Sequence, residues 1–109
     1  MVKKKAFLLL TAVAALCLFA NICHAHKLTV YAWVEEDAIN GQAAYSDGSY
    51  ARSCRVEIVD ANGKTVWQTK TDRKGKFSCQ LASMPLFPIK VVINDGMGHR
   101  DQYIIDGMP

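Results

Sequence analysis

The chain has 109 residues, 13 of them basic and 10 acidic, and 50% are hydrophobic. That length allows one small domain. Lys3, Lys4 and Lys5 supply the whole positive excess, because residues 26–109 carry ten residues of each sign. A neutral remainder gives no support for a nucleic-acid partner or an anionic membrane.

The N-terminus comes first. The three lysines precede an apolar run over 6–20, and Cys23-His24-Ala25 then puts small residues at the two positions that signal peptidase reads. This is the pattern of a helical secretory signal over 1–25, cleaved before His26. The apolar run is short of the roughly 20 residues that a membrane helix needs. A periplasmic or extracellular domain over 26–109 is expected. No second hydrophobic segment follows, so no transmembrane segment is expected in the mature chain.

The mature stretch reads as strands and turns. Leu28, Val30, Ala32 and Val34 alternate with polar or aromatic residues, and a polar turn, Glu35-Glu36-Asp37, follows. Ile39, Gly41, Ala43 and Tyr45 line one face of a return strand, which ends in the loop Ser46-Asp47-Gly48-Ser49. Cys54, Val56 and Ile58 form the next buried face. Asn62-Gly63 then signals a hairpin into a strand over 65–71. Asp72-Arg73-Lys74-Gly75 is a second tight turn, before Phe77, Cys79 and Leu81. Pro85 and Pro88 mark a loop crossing, since proline cannot sit in a central strand. Strands over 89–93 and 102–105 flank a glycine-containing loop. Seven short strands with turns every 8–12 residues predict an all-β, seven-stranded antiparallel β-sandwich.

Cys54 and Cys79 both fall on apolar faces. In an oxidising compartment they are expected to form a disulfide, worth about 3 kcal/mol in the chain-entropy model. Two buried free thiols are the alternative.

No catalytic constellation is present. The serines lack nucleophile-elbow spacing, and the paired carboxylates of 35–37 read as a solvated turn. A non-enzymatic protein is expected. Two histidines remain. Cleavage makes His26 the first residue, whose α-amine and ring nitrogen can chelate one borderline divalent metal ion. His99 follows Asn94-Asp95-Gly96-Met97-Gly98, where glycines allow close backbone approach and Asp95 and Asp101 are further donors. Loop pairing of Arg100 with Asp95 or Asp101 is the plainer reading.

Together His26-Lys27-Leu28, the run Val30-Tyr31-Ala32-Trp33-Val34-Glu35, Tyr45-Ser46-Asp47-Gly48 and Asp95-Gly96-Met97-Gly98-His99-Arg100 resemble a known family. It comprises the extracytoplasmic accessory subunits of energy-coupling-factor-type nickel and cobalt transporters. The stretches 56–64 and 71–77 look like the carboxypeptidase-regulatory-like (prealbumin-like, Cna-B-type) superfamily. The resemblance implies a prealbumin-like sandwich, a transporter membrane component as partner, and metal ligation by His26 and His99, with nickel or cobalt ahead of copper or zinc. The alternative is a generic sandwich module that binds protein or carbohydrate through Trp33, Trp67 or Tyr50.

Overall fold

The computed structural model describes residues 26–109. The signal sequence expected over 1–25 lies outside them. Seven strands form: β1 (Leu28–Glu35), β2 (Ala38–Tyr45), β3 (Arg55–Val59), β4 (Thr65–Lys70), β5 (Lys76–Gln80), β6 (Ile89–Asn94) and β7 (Arg100–Ile105). They build a three-stranded sheet, β1-β2-β5, and a four-stranded sheet, β4-β3-β6-β7, with antiparallel pairing throughout. The expected all-β architecture of seven antiparallel strands in two sheets is therefore observed.

The alternation in the sequence decides which side chains meet between the sheets. Leu28, Val30, Ala32, Ile39 and Ala43 come from the smaller sheet, and Val56, Ile58, Ile89, Val91 and Ile93 from the larger, all buried in one cluster. β-Branched side chains dominate it, as suits a pleated surface. Phe77 is paired with Gly41 across β2 and β5, and its ring fills the space that a side chain at Gly41 would need. At the open seam between the sheets, Asp101 in β7 accepts a 2.9 Å hydrogen bond from the Val30 backbone N–H in β1. This satisfies a donor on an otherwise unpaired strand edge.

Four turns share one hydrogen-bonding frame. In Asp60-Ala61-Asn62-Gly63-Lys64, the Asp60 N–H donates to the Lys64 carbonyl, and the Asp60 carboxylate accepts from the N–H groups of Asn62 and Lys64. Asp72-Arg73-Lys74-Gly75-Lys76 repeats every one of these bonds. Asp95-Gly96-Met97-Gly98-His99 does so again. Tyr45 to Ser49 keeps the backbone frame with tyrosine in the aspartate's place. The fourth residue is glycine each time, with φ between 72° and 97°, a region costly for other residues. The Asn62-Gly63 hairpin is thus a longer, carboxylate-capped turn.

The expected Cys54–Cys79 disulfide is not formed. Both cysteines are buried, but as free thiols. The face assignment holds, and the separation along the sandwich explains the difference. Cys79 is paired with Ile39 near the start of β2. Cys54 directly precedes β3 and lies against Tyr45, at the far end of β2. Ile39 and Tyr45 stand about 20 Å apart along a strand, whereas a disulfide needs Cα atoms within about 7 Å. Burial also pushes the Cys79 thiol up to about 11, away from thiolate chemistry.

Two measurements test this packing. Gly41→Ala should cost about 1–3 kcal/mol in denaturant unfolding, and a smaller side chain at Phe77 should make the double variant lose less than the sum of the two single changes. Strict additivity would refute the contact. Residues 26–109 denatured without reductant should titrate two thiols, and dithiothreitol should leave the thermal midpoint unchanged. A lowered midpoint would restore the bridge.

Candidate functional site

Strand register brings the two histidines to one end of the sandwich. The β1–β2 pairing puts Leu28 opposite Tyr45. It continues outward as Lys27 N–H donates to the Ser46 hydroxyl at 2.9 Å and Ser46 N–H donates to the Lys27 carbonyl at 2.8 Å. One step further, His26 Nδ1 lies 3.2 Å from Asp47 Oδ2. The β6–β7 turn reaches the same end with His99. The Tyr45 ring contacts both imidazoles with its plane nearly perpendicular to each, its centroid 6.5 Å from that of His26 and 5.7 Å from that of His99.

Asp95 organises the cluster. Its side chain is only 1% exposed. One carboxylate oxygen, Oδ1, accepts from the N–H groups of Met97 and His99 at 2.8 and 3.0 Å. The other, Oδ2, accepts from the Tyr45 hydroxyl at 2.8 Å and contacts His99 Nδ1 at 2.6 Å. Burial alone raises a carboxyl, but these donors outweigh it and hold Asp95 down at about 2. Burial, then the bond to Asp95, moves Tyr45 upward, so it stays a neutral donor. An ionised Asp95 requires a proton on His99 Nδ1, which leaves Nε2 as the nitrogen with a lone pair in neutral His99. Asp47 is lowered by the Ser49 hydroxyl and N–H, with His26 contributing less.

The structure thus joins His26 and His99 through Tyr45, a residue of the apolar face of β2 and of the Tyr45-Ser46-Asp47-Gly48 stretch. Asp47, in the same stretch, faces His26, although the sequence points to no ligand role for it. Asp95 belongs to the cluster; Asp101 does not, being committed to Val30. With both carboxylates engaged elsewhere, the Arg100 pairings suggested by the loop do not form. Met97 is 77% exposed at the turn tip. Among the described residues, no three His, Cys, Asp or Glu side chains converge in a geometry that holds a metal ion. A signal for Asp95 was present in the sequence: Asp-x-x-Gly-x occurs at 60, 72 and 95, and only the third places an imidazole at the fifth position.

The sign of the Asp95 effect is testable. A carboxyl at about 2 when folded, against about 3.9 when unfolded, contributes stability that is full above pH ~4 and lost as pH falls through ~2. Asp95→Asn should flatten acid unfolding in that window and lower stability at neutral pH. An unchanged acid limb would refute the assignment.

No family model matches the chain, and no solved structure matches it. An uncharacterized protein of Haemophilus influenzae is 35% identical over 97 residues, covering 88% of this chain. The chain spans 60% of that relative's length.

Proposed function

We propose that the domain is a non-enzymatic extracytoplasmic module that binds a divalent transition metal at the His26–Tyr45–His99 end and assists its uptake, with nickel or cobalt as cargo and a transporter membrane component as partner. The observation that supports this is the convergence of both histidines on Tyr45, each with Nδ1 against a carboxylate. Carboxylates in that position orient metal-binding imidazoles and raise their basicity. The resemblance of the 26–28 and 95–100 stretches to nickel and cobalt transporter accessory subunits favours the same cargo.

The donor set is incomplete by itself, which suits a carrier that must release its ion. Cleavage before His26 would add an α-amine. The amine-and-ring chelate uses Nδ1, now facing Asp47, so metal binding would displace that contact and leave Asp47 free as an oxygen ligand. Water or a partner's side chain would complete the shell. Protons compete for these nitrogens, so affinity falls with acidification.

A second reading has its own observation. Tyr31 packs on Trp33 at 5.6 Å and on Tyr103 at 5.1 Å, two exposed rings backed by a half-buried one beside the β1–β7 seam. Such a group suits a sugar or peptide. Trp33, Trp67 and Tyr50 are exposed as well.

Calorimetric titration of residues 26–109, beginning at a native His26, tests the proposal with Ni²⁺, Co²⁺, Cu²⁺ and Zn²⁺. One-to-one binding is expected, weakened about tenfold or more by His26→Ala and by His99→Ala. An added N-terminal glycine should weaken it without altering either ring. Binding indifferent to both histidines would refute the shared site. No binding, with glycan retention lost in Trp33→Ala, would favour the aromatic surface.

A further inference from the structure

The outer face of the four-stranded sheet carries a row of hydrogen-bond donors that the metal reading does not use. The register pairs Lys70 with Arg55, Arg55 with Asn94, and Asn94 with Arg100. These four residues therefore lie side by side across β4, β3, β6 and β7, all exposed. Neighbouring strands are about 4.8 Å apart, so three cations fall within about 15 Å. Like charges aligned across strands are destabilising. One carboxylate relieves them: Glu57, in the next row, lies 3.0 Å from Arg55 Nε. That contact leaves the terminal nitrogens of Arg55 available. Among the described residues, Lys70 and Arg100 have no carboxylate at ion-pair distance. Asn94 adds to the row, because its side-chain oxygen already accepts the Gly96 N–H at 2.7 Å and its amide nitrogen is left to donate.

We infer that this row is a docking surface for an acidic protein segment, whose carboxylates are taken by Arg55 and Arg100 with Asn94 between them. A depression of about 240 Å³ is lined by Arg55, Asn94 and Arg100, with Val92 and with Glu57, whose carboxylate is held by Arg55 Nε. Ile104, on the same face, is 48% exposed. A flat face with apolar side chains beside cations has the anatomy of a protein contact. Membrane anchoring instead uses an inserted apolar stripe or tip. An extended segment with carboxylates at alternate positions presents them about 7 Å apart on one side, within reach of both arginines. The domain is neutral over 26–109, so attraction to an acidic partner comes from where the cations stand and not from net charge.

Hexaglutamate peptide is the probe, titrated into residues 26–109 at low salt and followed by amide chemical shifts. The largest shifts are expected at Arg55, Asn94 and Arg100. Arg55→Gln with Arg100→Gln should weaken binding about tenfold, and charge reversal at both should abolish it. Raising salt from about 0.05 to about 0.5 M should release the peptide. Both positions are exposed, so an unchanged spectrum elsewhere verifies folding. Equal affinity in the double variant overturns the proposal. So does binding to phosphatidylglycerol vesicles without hexaglutamate binding, which would give the surface to a membrane. Metal affinity should be unaffected by Arg55→Gln alone, which lies outside the 95–100 turn, so this proposal and the metal site fail separately.

Discussion

Among the described residues, the Asp95 carboxylate gathers four hydrogen-bonding contacts from Tyr45, Met97 and His99. It closes the β6–β7 turn through two backbone donors and reaches the end of β2 through Tyr45. It also fixes the His99 ring. A buried carboxylate with few partners would be expensive. With four donors it is held ionised, and its position becomes strongly specified. Both sheets are tied at one end by this side chain, since β2 belongs to one and β6 and β7 to the other. The Asp101 bond to Val30 ties them again along the seam.

The turn frame shows how an ordinary structural device acquires chemical potential. At 60 and 72 the aspartate has one oxygen busy with the turn, and the fifth residue is an exposed lysine. At 95 the fifth residue is histidine, and Tyr45 stands opposite. The spare oxygen then meets two side-chain donors. Tyr45 occupies the first position of its own turn, where an aspartate stands in the other three. An aspartate there would set a second carboxylate beside Asp95, at a repulsive cost. Tyrosine keeps the backbone frame and supplies a donor in its place.

The strands were legible because their side chains alternate with period two, and burial on one face enforces that pattern residue by residue. Leu28 to Val34 and Ile39 to Ala43 each show it, whereas Ile89 to Ile93 reads as a strand buried on both faces at Val91 to Ile93. Legibility ended where register between distant segments decides the outcome. Cys54 and Cys79 were placed correctly on inward faces, yet alternation carries no information on position along the sandwich. His26 and His99 were likewise visible as separate candidates. Their meeting at Tyr45 depends on β1 pairing with β2 and on the β6–β7 turn, a relation across more than 70 residues. Asp47 and Tyr45 are visible as part of a resembling stretch, but a turn residue and an apolar-face residue reveal no role until their neighbours are known.

Charge follows the same rule. Composition counts ten residues of each sign over 26–109 and suggests an indifferent surface. Strand pairing distributes them otherwise. Glu35, Glu36 and Asp37 sit exposed at the β1–β2 turn, at the end opposite the histidines. Asp60, Asp72 and Asp95 are spent on closing turns, and Asp101 on a backbone donor. The acidic residues are thus largely used by the fold itself or gathered at one end, while Lys70, Arg55 and Arg100 line up on one sheet face. A chain that is neutral as a sum is polar as a structure, because carboxylates accept backbone N–H bonds and cations cannot.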